Sequence, residues 1–444
     1  MSEITKIILV LVIAITVILI SIVKLKLNPT IALIFGCLVM GLGCGMGLME
    51  TVESIGKGFG NLMGAIGLPI GLGCILGKLL EASGGARIIA ETLIKKTGQK
   101  YALFALGFAA FLLSIPVFFD ITFIILIPLA IEMSKTLKKP LPYAVGAVTI
   151  CAAGAHTLIP PTPNPLAAAS ILHFDLGIML IAGAAVCLGA CLFGLIIYFK
   201  MLDRGFWNKE KDETGIITVE KGEPIPPNAP SFAAALVPLV LPVICIILNT
   251  VSGVFGVKSV FISFLSNRVI AMLLGTLAAY IIAHKALKNR LSDIVDSAVA
   301  SSGIVLLITG AGGSFGQVIS QTGFAKLVAQ QFTTVGASPV IIVLFAFGIA
   351  VLFRVALGSG TVASITTMNI MAGFIGLTAL HPVFIALACL AGGISIGHVN
   401  DSGFWVVTNM SGYTVKGGLK SYTIAGVFLA VFTMIVVLAA AIIA

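Results

Sequence analysis

Nine consecutive residues, Gly397-His398-Val399-Asn400-Asp401-Ser402-Gly403-Phe404-Trp405, put an imidazole, an amide, a carboxylate and a hydroxyl within five positions of a very apolar stretch. Charged and polar groups in such surroundings are costly and mark solute or ion paths. Two glycines bracket the cluster, so the backbone there is free to leave the helix and expose its own N–H and C=O groups. A second polar island, Ala155-His156-Thr157-Leu158-Ile159-Pro160-Pro161-Thr162-Pro163-Asn164-Pro165, carries four prolines in six positions and cannot continue a helix. Two further islands are Ser114-Ile115-Pro116-Val117-Phe118-Phe119-Asp120 and Arg354-Val355-Ala356-Leu357-Gly358-Ser359-Gly360-Thr361. Together the four supply two carboxylates, two imidazoles, one guanidinium and several hydroxyls.

The elements that must hold these islands are membrane helices. Of 444 residues 59% are hydrophobic and only 10% charged, which excludes a soluble domain and marks an all-α polytopic membrane protein. The net charge of +9 comes from Lys and Arg in short connectors, a topology signal rather than a nucleic-acid footprint. Eight cysteines lie in apolar stretches without metal-ligand spacing and read as small buried hydrophobes. The expected metal content is none, and no cofactor beyond an ion gradient is implied. The glycine-rich run Gly310-Ala311-Gly312-Gly313-Ser314 lacks the Gly-Lys-Ser/Thr of a phosphate loop and reads as close helix packing.

The polar segment 200–230 divides the chain into 1–199 and 231–444 and reads as a cytoplasmic linker. The halves align without gaps at an offset of 239, which sets Gly77 on Gly316, Thr122 on Thr361, Asp120 on Ser359 and Gly154 on Gly393. Arg87, Lys95, Lys96 and Lys100 face only Lys326 in the other half, and Lys135, Lys138 and Lys139 face an uncharged run. Basic in one copy and bare in the other is what opposite orientations give under the positive-inside rule, so the repeats read as inverted. Segment 101–134 has two basic ends and arms too short to cross a roughly 30 Å core twice. It is expected to be a re-entrant hairpin, and 338–376 its counterpart. Broken spans are expected at about 142–170 and 380–409, for a total of about ten spanning helices and two hairpins.

Half-helix ends meeting at the midplane offer N–H dipoles to an anion and carbonyls to a cation or hydroxyl. Asp401 and Asp120 are candidates to carry a coupling proton; either also reads as a structural acceptor tying a helix end. His156 and His398 are donors to substrate oxygens or proton shuttles, or simply packed imidazoles. Arg354 is the one arginine well inside an apolar segment. It reads as the grip on a substrate carboxylate, or as the neutralising partner of Asp120 or Asp401. Ser359, Gly360, Thr361, Thr122, Thr162, Asn164, Asn400 and Ser402 complete the candidate site as partners for substrate hydroxyls. No nucleophile–base set is present in the pattern, so an enzyme is not expected.

At these motifs the chain resembles the gluconate:proton symporter family. The matching stretches are Phe118-Phe119-Asp120, His156 through Pro165, Gly310 through Gly313, Arg354 with Gly358 through Thr361, and Gly397 through Trp405, in family order along almost the whole chain. The resemblance implies a proton-coupled importer of gluconate or a related small hydroxylated monocarboxylate such as a sugar acid, glycerate or D-serine. It also implies an elevator-type fold, a homodimer and residence in the bacterial inner membrane. Asn164 stands where the sugar-acid members usually carry glycine, which leaves the substrate open. The sodium-coupled dicarboxylate relatives use Ser-Asn-Thr tips that this chain lacks; sodium coupling, and less so a passive anion channel, are the alternatives.

Overall fold

A computed structural model describes residues 3–215, 225–257, 259–324, 338–376 and 378–444. Part of the expected linker and Lys326, used in the orientation argument, therefore lie outside the described residues. The described chain is helical, and its one β-type feature is an isolated bridge between Glu213 and Tyr413.

Eight described helices are long and apolar enough to cross a membrane. The expectation was about ten. The difference comes from Pro29–Gly43, which has 15 residues, and Pro382–Ile394, which has 13 before the chain breaks. Each is apolar, but neither alone reaches the roughly 20 residues that a span requires.

Segments 101–134 and 338–376 each hold two helices joined by a short turn. The helix Gly85–Ser114 changes direction at Gly98 (φ 69°, ψ 172°), and its second part runs to a short turn before Phe119–Leu137. The later unit consists of Pro339–Leu357 and Gly360–Met371, joined through Gly358 in the left-handed region (φ 69°). Two further helix pairs are separated by short non-helical stretches. Leu141–Leu158 stops before the prolines, and Pro163, at the first helical position where its missing N–H costs nothing, starts Pro163–Ile171. Pro382–Ile394 stops before Ser395, and Asp401 caps Ser402–Met410.

Several helix ends keep one spacing. Leu48–Ala82 and Leu291–Gln321 end 239 residues apart, and both are followed by a left-handed glycine, Gly84 and Gly323. The helices opening at Pro163 and Ser402 start at the same separation, as do those opening at Leu176 and Val415.

The helices sort into two packing groups. Leu48–Ala82 and Leu291–Gln321 pack on each other and gather Glu3–Val23, Pro29–Gly43, Phe232–Val254 and Arg268–Leu287. The hairpins, the broken spans, Leu176–Asp203 and Ile424–Ile443 form the other group. Inside the first group the glycine-rich run does what close packing requires. A Cβ on Gly313 would lie 2.9 Å from the Gly58 carbonyl oxygen, and a Cβ on Gly58 would lie 2.7 Å from that of Gly313. Backbone oxygens cannot move aside as side-chain tips can. Gly313→Val is expected to destabilise this crossing by at least about 1–3 kcal/mol, read as a lower melting temperature in detergent. An unchanged melting temperature would refute the crossing.

The start of the 200–230 segment is packed, not merely solvated. Asp212 is fully buried and paired with Lys420 at 2.6 Å, and Lys420 Nζ also donates to the Phe206 carbonyl at 2.6 Å. Trp207 packs at a tilt against Tyr413 with ring centroids 4.6 Å apart and donates to Glu213. Residues 206–214 thereby clasp the connector 411–420, which leads directly into the final span.

Candidate substrate site

The four polar islands enclose one cavity of about 240 Å³, below the roughly 300–1,000 Å³ of drug-sized pockets. It therefore suits a small solute. Around it lie the amino-terminal ends of four helices: Phe119–Leu137, Pro163–Ile171, Gly360–Met371 and Ser402–Met410. Each presents the positive end of a helix dipole, with the Gly403 N–H capped by Asp401 Oδ1, the Val362 N–H capped by Ser359 Oγ, and prolines without an N–H at two of the first three positions of Pro163–Ile171. The fifth wall is Ile304, Val305, Ile308 and Thr309 from Leu291–Gln321, so the cavity lies between the two packing groups.

Arg354 is 4% exposed and forms an ion pair with Asp401, itself 6% exposed. Of the partners left open by the sequence, Asp401 is the one taken. Arg354 Nη1 donates to the Gly358 carbonyl at 3.1 Å, and Nη2 donates to Asp401 Oδ2 and, at 3.3 Å, to Tyr422 Oη. Tyr422 Oη in turn donates to Asp401 Oδ2 at 2.7 Å. Asp401 Oδ1 accepts from the Gly403 N–H at 2.9 Å and so caps the Ser402 helix. Asp401 is thus a helix cap and an ion-pair partner at once.

Gly397 and Gly403 have a role that backbone freedom does not capture, since neither has positive φ. A Cβ on Gly397 would overlap Arg354 Nη2 and come within 2.6 Å of Tyr422 Cε1, and one on Gly403 would lie 2.8 Å from Tyr422 Oη. They make room for the Arg–Asp–Tyr cluster. Gly358 is constrained twice: its φ of 69° is left-handed, and a Cβ would overlap the Asn400 carbonyl oxygen.

The remaining candidates divide by position. Asp120, His156, Asn164, Ser359, Gly360, Thr361 and Ser402 all line the cavity with Arg354 and Asp401. Asp120 faces it from the first turn of Phe119–Leu137. The His156 ring lies against Phe118, centroids 5.3 Å apart. Four candidates do not line it. Thr122 is buried within its helix, and the Thr162 hydroxyl donates to the Ile159 carbonyl at 2.7 Å, bracing the break. His398 Nε2 and Asn400 Nδ2 both contact the Val355 carbonyl, at 3.0 and 2.8 Å, and tie the second broken span to the second hairpin. Among lining atoms, His156 Nδ1, Asn164 Oδ1, Thr309 Oγ1 and Arg354 Nε are buried without a hydrogen-bond partner.

Sequence reasoning missed Tyr422 and Thr309. Tyr422 belongs to a π-helical turn, Leu419–Thr423, at the start of the final span, and such turns recur at functional sites. The next residue donates from its hydroxyl to the Gly397 carbonyl, which fixes the turn against the broken span. A lone tyrosine after the Gly417-Gly418 pair was the available signal, but only distance could tie it to Arg354.

A family profile described as GntP family permease matches residues 6–443. The chain is 35% identical to an uncharacterized permease of Haemophilus influenzae, covering 90% of this chain and 85% of that one. It is 32% identical to the inner membrane permease YgbN of Escherichia coli, over 91% and 92% of the two chains. It is 30% identical to a gluconate permease of Bacillus licheniformis, over 94% and 96%. Among solved structures, the Alcanivorax borkumensis YdaH transporter shares the fold with a TM-score of 0.64 at 15% identity, over 93% of this chain and 98% of that one.

Proposed function

This chain belongs to the GntP permease family, a multi-pass protein of the bacterial inner membrane, and from that premise we propose that it imports gluconate or a related small hydroxylated monocarboxylate together with protons. The observation that carries the reading is the convergence of four helix amino-termini and Arg354 on one small cavity. Fixed N–H dipoles and a guanidinium favour one carboxylate, and a cavity of this size limits the solute. The unpartnered atoms of His156, Asn164 and Thr309 favour a solute with hydroxyl or amino groups, because buried polar atoms require partners. Asp401 and Asp120 are the carboxylates in the cavity able to carry the proton. The gluconate permease among the relatives supports the substrate class.

The fold supports alternating access. Helix ends that recur at one spacing support two repeats, and connectors that are basic in one copy and nearly bare in the other support an inverted relation. In this reading the group holding the hairpins and broken spans is the moving part of an elevator. The Leu48–Ala82 and Leu291–Gln321 group is the scaffold, through which two copies associate.

The test is accumulation of labelled gluconate in proteoliposomes under an inward proton gradient. The expected result is uphill accumulation abolished by an uncoupler, with glycerate, other sugar acids and D-serine as competitors. Equilibration that ignores every gradient, or accumulation driven by sodium alone, would overturn the proton-coupled reading.

A further inference from the structure

We infer that Asp401 occupies the place of the substrate carboxylate on Arg354, so that substrate can take its full grip only when a proton neutralises Asp401. The inference rests on the transport reading above and adds to it an order of events and a stoichiometry. Its basis is the geometry of one nitrogen. A guanidinium offers two edges for two-point binding of a carboxylate, Nε with Nη2 and Nη1 with Nη2. Nη2 is common to both. In this structure Nη2 is engaged by Asp401 Oδ2 and Tyr422 Oη. Nη1 is held by the Gly358 carbonyl, and Nε is buried without a partner beside the cavity. A substrate carboxylate that pairs with either edge of the guanidinium needs Nη2, and finds it already taken.

Two carboxylates sharing one buried arginine would leave an uncompensated negative charge, which burial disfavours. The groups facing Asp401 do not relieve it. Arg354 and Tyr422 are already its partners, and across the cavity stand Asp120, a further acid, and His156. The main-chain N–H of Gly403 is committed to Oδ1. A proton taken from solvent onto an Asp401 oxygen resolves the conflict. The Arg354–Asp401 contact opens, the carboxylate of the solute forms N–H···O bonds to Nε and Nη2, and the charge of the cluster is unchanged. Tyr422 keeps its own proton throughout. It is a positioning residue whose hydroxyl holds the Asp401 carboxylate on Nη2 in the empty state and accepts the carboxylic O–H in the loaded one. Coupling then follows from competition for a single atom: one carboxylate enters with one proton.

The experiment is calorimetry on the purified full-length protein in buffers of different ionisation enthalpy, with gluconate, glycerate and D-serine as probes. For whichever carboxylate binds, the expected uptake is about one proton per molecule bound at alkaline pH. Gluconamide, the neutral amide of gluconate, need not displace Asp401 and is expected to bind without proton uptake. That comparison uses the wild-type chain alone and is independent of any folding defect in a variant. Asp401→Asn is expected to bind the carboxylate without proton uptake, at least about tenfold tighter at alkaline pH, with exchange retained and uphill accumulation lost. Proton uptake persisting in Asp401→Asn, or equal uptake with gluconamide and gluconate, would overturn the inference while leaving the transport reading intact. Failure of the wild type to bind any of the three probes overturns the transport reading, and this inference with it.

Discussion

Arg354→Lys is expected to leave a folded protein that no longer accumulates substrate. Lysine keeps the positive charge, so Asp401 is not stranded as a lone buried anion and the tertiary structure survives. It loses the planar fork. A single ammonium cannot reproduce the donor to Gly358, the contact to Asp401 and the Nε donor at once. Charge-assisted hydrogen bonds contribute about 1.5–3 kcal/mol each, so losing two of them weakens carboxylate binding by a factor on the order of 100 or more. The measurement is equilibrium binding of labelled gluconate beside a melting curve for each protein. Arg354→Ala serves as the contrast, since it leaves Asp401 without its cation and is expected to lower the melting temperature as well. Wild-type affinity in Arg354→Lys would show that the carboxylate is held by the helix ends alone.

Gly397→Ala is expected to abolish transport with only a modest loss of stability. The added methyl would overlap Arg354 Nη2 and press on the Tyr422 ring, so the guanidinium must leave Asp401 or the broken span must shift. Either outcome dismantles the cluster without touching a charged residue. Two companion substitutions make the explanation specific. Gly403→Ala is expected to do less, because its methyl would meet only the tip of Tyr422 and the edge of Phe119, at 2.8 and 3.2 Å. Gly348→Ala lies in the same hairpin as Arg354, meets nothing within 4 Å, and is expected to transport normally. Uptake rates in the order Gly348, Gly403, Gly397 check the argument. Equal activity in all three would remove the spatial account of the bracketing glycines.

The clasp between residues 206–214 and the connector 411–420 anchors the span that carries Tyr422. Lys420, held by buried Asp212, lies two residues before Tyr422 in the same π-helical turn. The segment that joins the two halves of the chain is therefore fastened to the span that carries a site residue. Composition alone marks 200–230 as polar. What it hides is that Asp212 and Lys420, far apart in sequence, neutralise each other once buried.

Much of the architecture is written locally. Long apolar stretches, prolines at helix starts, and the Gly98, Gly358 and Pro160–Pro165 interruptions determine where helices run and stop, because backbone hydrogen bonding in a bilayer leaves few alternatives. The polar islands announced a site for the same reason, since polar groups persist in lipid only where protein or solute satisfies them. Local pattern could not assign the partners. It left Arg354 free to pair with Asp120 or Asp401, and it could not show that His398 and Asn400 both contact the Val355 carbonyl. It passed over Tyr422 and Thr309, which are unremarkable in one dimension and become site residues only when distant helices meet. It also explained Gly397 by backbone freedom, when the deciding factor is the space that an arginine 43 positions away occupies. Helix limits follow from interactions between neighbours in the chain, and the sequence by itself determined them. Pairing, competition for Nη2 and steric room follow from contacts across the fold, and only the tertiary structure decided those.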